Sequence, residues 1–265
     1  MNIFLRELKA HRWGLFFWSL GMVAMLYMGM TKYGAYEASG ESVQQIMDAL
    51  PKGVQAVFGL TGFDLSTAAG FFGVLFMYIA VMGAVHAALL GSGLIAKEER
   101  DRTSEFLYSK PASRGKILTG KLLAGLFNLV VFNLVTLASS VYFVAYFNKD
   151  APFGADIILL MAGLFFIQLV FFAIGALVAG TTHRPKAAAS VATSIMFLTF
   201  LLAYAINMEE KLDFLKFITP FKYFDAANLM ADHALDPVFV VLSVAIVVVA
   251  IFGTYRFYAG RDLTV

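Results

Sequence analysis

The stretch IILLMAGLFFIQLVFFAIGALVAGT, residues 157–181, carries no charged side chain and a single amide, Gln168. As a helix it is about 37 Å long, enough to cross a hydrocarbon core of about 30 Å. Five further apolar runs of similar length lie on either side, at about 13–31, 71–96, 122–147, 187–208 and 238–259. Composition agrees, with 60% hydrophobic and only 14% charged residues and a mean hydropathy of +0.77. This is too apolar for one soluble core. A β-barrel is excluded, because its strands run to about ten residues and alternate apolar with polar. The sequence therefore predicts an all-α integral membrane protein with six transmembrane helices in one domain over residues 1–265.

The first run follows Arg6, Lys9 and Arg12 and so mimics a signal peptide. Its apolar part is too long, and no small-residue cleavage site follows Met30 at the right distance, so the expectation is a retained anchor. With an inward amino terminus, fourteen of the twenty Lys and Arg fall in inside segments, so both termini are expected in the cytoplasm. The chain has no cysteine, which removes disulfides and thiolate metal sites.

Seven of the Lys and Arg lie in KEERDRTSEFLYSKPASRGKILTGK, residues 97–121, the loop between the second and third runs. A basic loop of this kind can be purely topogenic. Here there is more pattern. Glu98 and Glu99 follow a long helix, Thr103 and Glu105 open a new turn, and Phe106 and Leu107 put an apolar edge beside them. Pro111 stops that turn, and Ser113 is positioned to cap the next helix through Ile117, Leu118, Leu122 and Leu123. Such a segment suits docking into a groove on a cytoplasmic partner. Gly115, Gly120 and Lys121 match phosphate-loop spacing, but Leu122 stands where Ser or Thr must hold magnesium, and no strand precedes it.

EERDRTSEFLYSKPASRGKILTGKLLAG, residues 98–125, resembles the coupling segment of ABC-2 type transporter permeases. The match rests on Glu99, Thr103, Glu105, Leu107, Pro111, Ser113, Arg114, Ile117, Leu118 and Lys121; Arg102 departs, standing where the family usually has Gly. ALPKGVQAVFGLTGFDLSTAAGFFGVLF, residues 49–76, resembles the family's first outer loop, and FLKFITPFKYFDAANLM, residues 214–230, its last. The resemblance implies a coupling helix contributed by Glu98, Glu99, Arg102, Thr103, Glu105, Phe106, Leu107, Pro111, Ser113 and Arg114. It implies an elbow helix from NIFLRELKAHRW, residues 2–13, in the cytoplasmic interface. It also implies an extracellular gate around Pro220, Phe221 and Phe224. No part of the chain has room for an ATPase domain of about 100 to 200 residues. ATP and magnesium are thus expected on a separate ATP-binding subunit in two copies, with no cofactor in this chain and no nucleic acid among its partners.

The second run carries small residues at helical spacing, Ala80, Gly83, Ala84, Ala87 and Gly91, which lets a neighbouring helix approach closely. The neighbour is either a helix of the same chain or a second copy. The resemblance favours an identical second permease, with a substrate path between the second run and the fifth, where Ser190, Thr193 and Ser194 are likewise small. His86, mid-span, is either a substrate or proton contact or a hydrogen-bonded core imidazole. Asn128, Asn133 and Gln168 read as interhelical hydrogen bonds. Tyr27, Met28, Phe72, Phe76, Met77 and Tyr78 suit either an amphipathic cargo or the lipid boundary. Residues 41–58 and 210–224 have the three-and-four apolar spacing of short amphipathic helices on the outer leaflet.

These features predict an ABC exporter permease in a prokaryotic plasma membrane, moving a drug, antimicrobial peptide or lipid-like molecule. An ion-gradient transporter would be expected to show inverted repeats and intramembrane acids. A non-transporting immunity or sensor module shares the same scaffold.

Overall fold

A computed structural model of the protein describes residues 3–39, 63–101, 113–148, 154–182 and 184–260. The chain runs α1 (Ile3–Ser39), α2 (Ala68–Arg100), α3 (Arg114–Phe147), α4 (Gly154–Thr181), α5 (Ala188–Met208), a 3-10 helix (Glu210–Ile218), α6 (Pro220–Tyr223), α7 (Ala226–Asp232) and α8 (Pro237–Ala259). Six of these, α1 to α5 and α8, are long and apolar enough to cross a membrane. Among the described residues there is no strand.

Helix starts follow local chemistry. The Gly70 N–H donates to Thr67 Oγ1 (3.0 Å) at the head of α2, and the Lys116 N–H donates to Ser113 Oγ (3.3 Å) at the head of α3. Each bond satisfies one of the backbone donors a helix leaves unpaired at its start. Pro237 opens α8, where a missing N–H costs nothing, and the Val238 N–H donates to Asp236 Oδ1 (2.8 Å).

The apolar runs underestimate the helices. α1 continues unbroken from the basic amino-terminal segment through the first span, and α2 runs on past Lys97 to Arg100. Backbone hydrogen bonding is local and does not stop where side chains become charged. At 33 residues α2 is about 50 Å long, so its last turns project beyond a core of about 30 Å.

α4 is the hub, packed on α2, α8, α3 and α5, while α1 lies against α3 and α2. The α2–α4 seam is backbone on backbone. A Cβ on Gly91 would sit 2.1 Å from the Phe172 carbonyl oxygen, and one on Gly175 would sit 2.5 Å from that of Ala88. Each helix thus presents glycine where the other presents its main chain. The outward sides of α1 and α8 expose Trp13, Phe16, Phe17, Val248, Val249 and Phe252, a surface suited to lipid.

α1, α2, α3 and α8 meet at one end of the bundle, the end of Ile3 and Ala259, called here the terminal end. The far end carries the start of α2 and the segment between α5 and α8. The 3-10 helix there leaves Phe214, Phe217 and Ile218 exposed. Residues 41–58 lie outside the described residues.

Candidate functional site

Two features stand at opposite ends of the bundle. At the terminal end, where α2 finishes and α3 begins, six charged or ionisable side chains tie three helices together. Lys121 of α3 is fully buried and donates from Nζ to Glu98 Oε2 of α2 and to the Leu94 carbonyl (2.6 Å). Arg6 of α1 donates from Nη2 to Glu98 Oε1 (3.1 Å) and to Glu7 Oε1 (2.6 Å). Lys97 Nζ and His11 Nε2 lie 3.7 and 3.9 Å from Glu7 Oε2. Glu7 and Lys121 have no exposed side-chain surface. Such buried ions survive because each carboxylate is answered from a neighbouring helix.

This places part of the expected coupling segment. Arg102, Thr103, Glu105, Phe106, Leu107 and Pro111 lie outside the described residues. Glu98 turns inward and braces the root of the loop, so it presents no free carboxylate to a docking partner. Glu99 and Arg114 are half-buried at the two roots and Ser113 is exposed as the cap of α3. Asp101 is exposed, and its hydrogen bond from Arg100 holds its carboxyl below the usual carboxylate range. Lys121 lies inside α3 with its side chain buried in the bundle.

At the far end a cavity of about 240 Å³ opens between α2, α4, α5 and the α5–α8 segment. Phe76, Met77, Ala80, Ile167, Phe200 and Tyr204 form its apolar body; Asn207, Lys222, Asp225 and Asn228 form a polar lip. Lys222 Nζ donates to Asn207 Oδ1 (2.9 Å) and Asp225 Oδ2 (3.3 Å), so the lip is internally paired. The expected gate residues meet here. Phe221 packs on Phe171 and Phe200 (5.3 and 5.4 Å between ring centres), and Phe224 stacks on Phe166 at 5.4 Å. Pro220 is buried at the first position of α6. Thr219 Oγ1 donates to the Thr199 carbonyl (2.8 Å) and the Tyr223 hydroxyl to that of Phe217. This surrounds the chain break with protein, as non-helical backbone at membrane depth requires. Burial raises the Tyr223 phenol above its ordinary range.

The small-residue ridge goes to the same chain. Ala84 and Ala87 are fully buried, Gly83 and Gly91 face α4 side chains and backbone, and Ala80 borders the cavity. These five are buried within the chain or line its far-end cavity, so the close neighbour of the ridge is α4 of the same chain. Nor are they brought together with the α5 trio: Ser190 and Ser194 are exposed, and Thr193 donates to its own helix at the Ala189 carbonyl (2.9 Å). His86 is buried, stacked on Phe132 (4.5 Å between centres) and beside Trp18 (5.5 Å). Asn133 Nδ2 donates to Gln168 Oε1 (3.2 Å), joining α3 to α4 as expected. Phe72 and Phe76 are core, Met77 borders the cavity, and Tyr27, Met28 and Tyr78 are exposed to the surroundings.

Sequence reasoning missed Glu7, Lys97 and Lys121 as a bracing cluster and Asn207, Lys222 and Asp225 as a lip. The one available signal was that Lys97 and Lys121 are the charges adjoining the apolar runs on either side of the loop, with Glu98 next to Lys97.

A family model described as ABC-2 family transporter protein matches residues 1–262. No match is found among curated proteins.

Proposed function

Because this chain belongs to the ABC-2 family of transporter proteins and has six membrane-spanning helices, we propose that it exports an amphipathic molecule, using ATP hydrolysed on a separate subunit. The permease is read as a homodimer with two ATP-binding partners, both termini in the cytoplasm of a prokaryote. The observation that supports this best is the far-end cavity, whose apolar body and polar lip match a molecule with a greasy part and a polar head. With the termini inside, that cavity lies on the outer side, behind Phe221 and Phe224. A drug, antimicrobial peptide or lipid-like compound fits it; a bare hydrated ion does not.

In this mechanism ATP closes the partner dimer, the loop 102–112 takes up the motion, and the braced ends of α1, α2 and α3 move with it. ATP can drive such a shift only by favouring one conformation over the other. With the α2 ridge used inside the chain, α5 is left as the face for the second permease, through Ser190, Ser194 and the exposed Val191, Phe197 and Leu198.

The test is co-purification from the native host followed by reconstitution. An ATPase should accompany the protein at equal stoichiometry, and amphipathic compounds should stimulate it in liposomes. Reversing the charge of Glu105 and truncating Phe106 together should abolish both association and transport while membrane insertion stays normal. Normal transport by that double variant would sink the coupling role. A protein that purifies alone and ignores ATP would favour ion-gradient transport, and one that binds the ATPase without moving any compound would be an immunity or sensor module.

The cavity makes its own prediction. Ala80→Phe, which intrudes on the apolar body, should weaken half-maximal stimulation by roughly tenfold, the effect of about 1.4 kcal/mol of lost binding. Maximal unstimulated ATPase should not change. Equal stimulation curves for the two proteins would mean the substrate binds elsewhere.

A further inference from the structure

We propose that a second, smaller cavity between α1, α2 and α3 is a water-binding site that carries hydration from the charged terminal end to His86. The cavity measures about 130 Å³ and is bordered by His11, Gly14, Trp18, His86, Leu90 and Asn128. It is distinct from the far-end cavity and does not depend on what is transported.

Three polar atoms on its lining have no hydrogen-bond partner within the protein: His11 Nε2, His86 Nδ1 and Asn128 Oδ1. His86 and Asn128 are each only 3% exposed. Glu7 Oε2, also unbonded, lies 3.9 Å from His11 Nε2. That is too far for a direct hydrogen bond and a gap that one bridging water closes. Unpaired polar atoms at this depth are costly, and membrane helices usually pair them across the bundle, as Asn133 does with Gln168 five residues further along α3. Asn128 sits beside His86, and its Oδ1 has no partner at hydrogen-bond distance. What it faces is a cavity.

The chemistry of the lining selects the guest. Asn128 Oδ1 only accepts, as does Glu7 Oε2 behind His11, while each imidazole nitrogen donates or accepts according to tautomer. The guest must therefore donate and accept. The charged groups behind the cavity are Arg6 and Glu7 on α1, Lys97 and Glu98 on α2, and Lys121 on α3. Three cations against two anions disfavour a bound cation, and the carboxylate and amide oxygens disfavour an anion. Water satisfies all of these, and the volume holds about four molecules at roughly 30 Å³ each, with two or more polar partners within reach. Gly14 borders the cavity on the exposed side of α1, where a Cβ would meet nothing within 4 Å. Phe132, stacked on His86, closes the inner end.

Radiolytic hydroxyl labelling of the unaltered protein in lipid discs tests this, because water held against a side chain generates radicals there. Trp18 and His86 should be labelled several-fold above Met22, which is fully buried on the same helix and intrinsically more reactive. Labelling of His86 no higher than that of Met22, corrected for reactivity, overturns the proposal. Asn128→Leu should remove the His86 label while the thermal midpoint holds. A folded N128L protein with an unchanged label would also overturn it, since water would then be present for another reason. Should N128L fail to fold, the unaltered protein decides.

Discussion

Lys121→Ala is expected to cost about 3–5 kcal/mol of stability, because it leaves the buried Glu98 carboxylate short of its main partner. Lys121 Nζ lies wholly inside the bundle between Glu98 and the Leu94 carbonyl, so cutting back the side chain removes a buried ion-pair partner. Glu98→Ala should be similarly harmful, leaving an ammonium hydrogen-bonded only to one carbonyl, with Glu7 as a more distant counter-ion. The informative protein is the double variant Glu98→Gln, Lys121→Met. It removes both charges at nearly constant volume, and such replacements are often neutral, so most of the loss should be recovered. Arg6 keeps Glu7 as its partner in that background. Thermal unfolding of the unaltered protein, Glu98→Gln, Lys121→Met and the double variant in one detergent forms the cycle, with a coupling energy well above the few tenths expected of independent sites. A double variant as unstable as the sum of its singles would mean the two residues act separately, and the bracing of the loop roots would have to be abandoned.

Closing the α2–α4 seam to a single methyl should be nearly as damaging. In Gly91→Ala the new Cβ falls 2.1 Å from the Phe172 oxygen, 3.0 Å from its carbonyl carbon and 3.1 Å from the Ala176 nitrogen. All three are backbone, so relief requires the helices to part. Overpacking typically costs about 1–3 kcal/mol, and the absence of any flexible neighbour puts this variant at the top of that range. Gly93→Ala is the control on the same helix. Its Cβ would meet nothing within 4 Å, and replacing a helical glycine should stabilise by about 0.5–1 kcal/mol. The two substitutions should thus move the unfolding midpoint in opposite directions. A Gly91→Ala protein as stable as Gly93→Ala would show that the seam opens easily, and the rigidity assigned to α4 as a hub would be lost.

Both results bear on transport. In the proposed mechanism, a seam that cannot slip and a braced triad of helix ends would carry motion entering between α2 and α3 to the far end as rigid displacement. Movement then falls on the parts packed mainly by side chains, α5 and the segment around Phe221 and Phe224.

The sequence by itself determined that the chain spans the membrane six times, because crossing lipid depends on the length and apolarity of each run, and those are properties of consecutive residues. It also determined the cap at Ser113, whose hydroxyl acts only three residues away, and the family, whose motifs are continuous stretches. Residues 2–13 were legible as helix, though not as one helix with the first span, since charge marks where lipid ends and not where hydrogen bonding ends. The α2 ridge announced a close neighbour without naming it: small residues state how near another backbone comes, and only the folded chain shows that Gly175 of α4 supplies the matching gap. The tertiary structure alone decided the rest. Glu98 meets Lys121 because α2 and α3 pack side by side at that end. The far-end cavity takes walls from four separate segments, and Asn128 differs from Asn133 only in what happens to stand opposite. Contacts of this kind depend on which helices pack together, information that is distributed over the whole chain and is present in no single stretch of it.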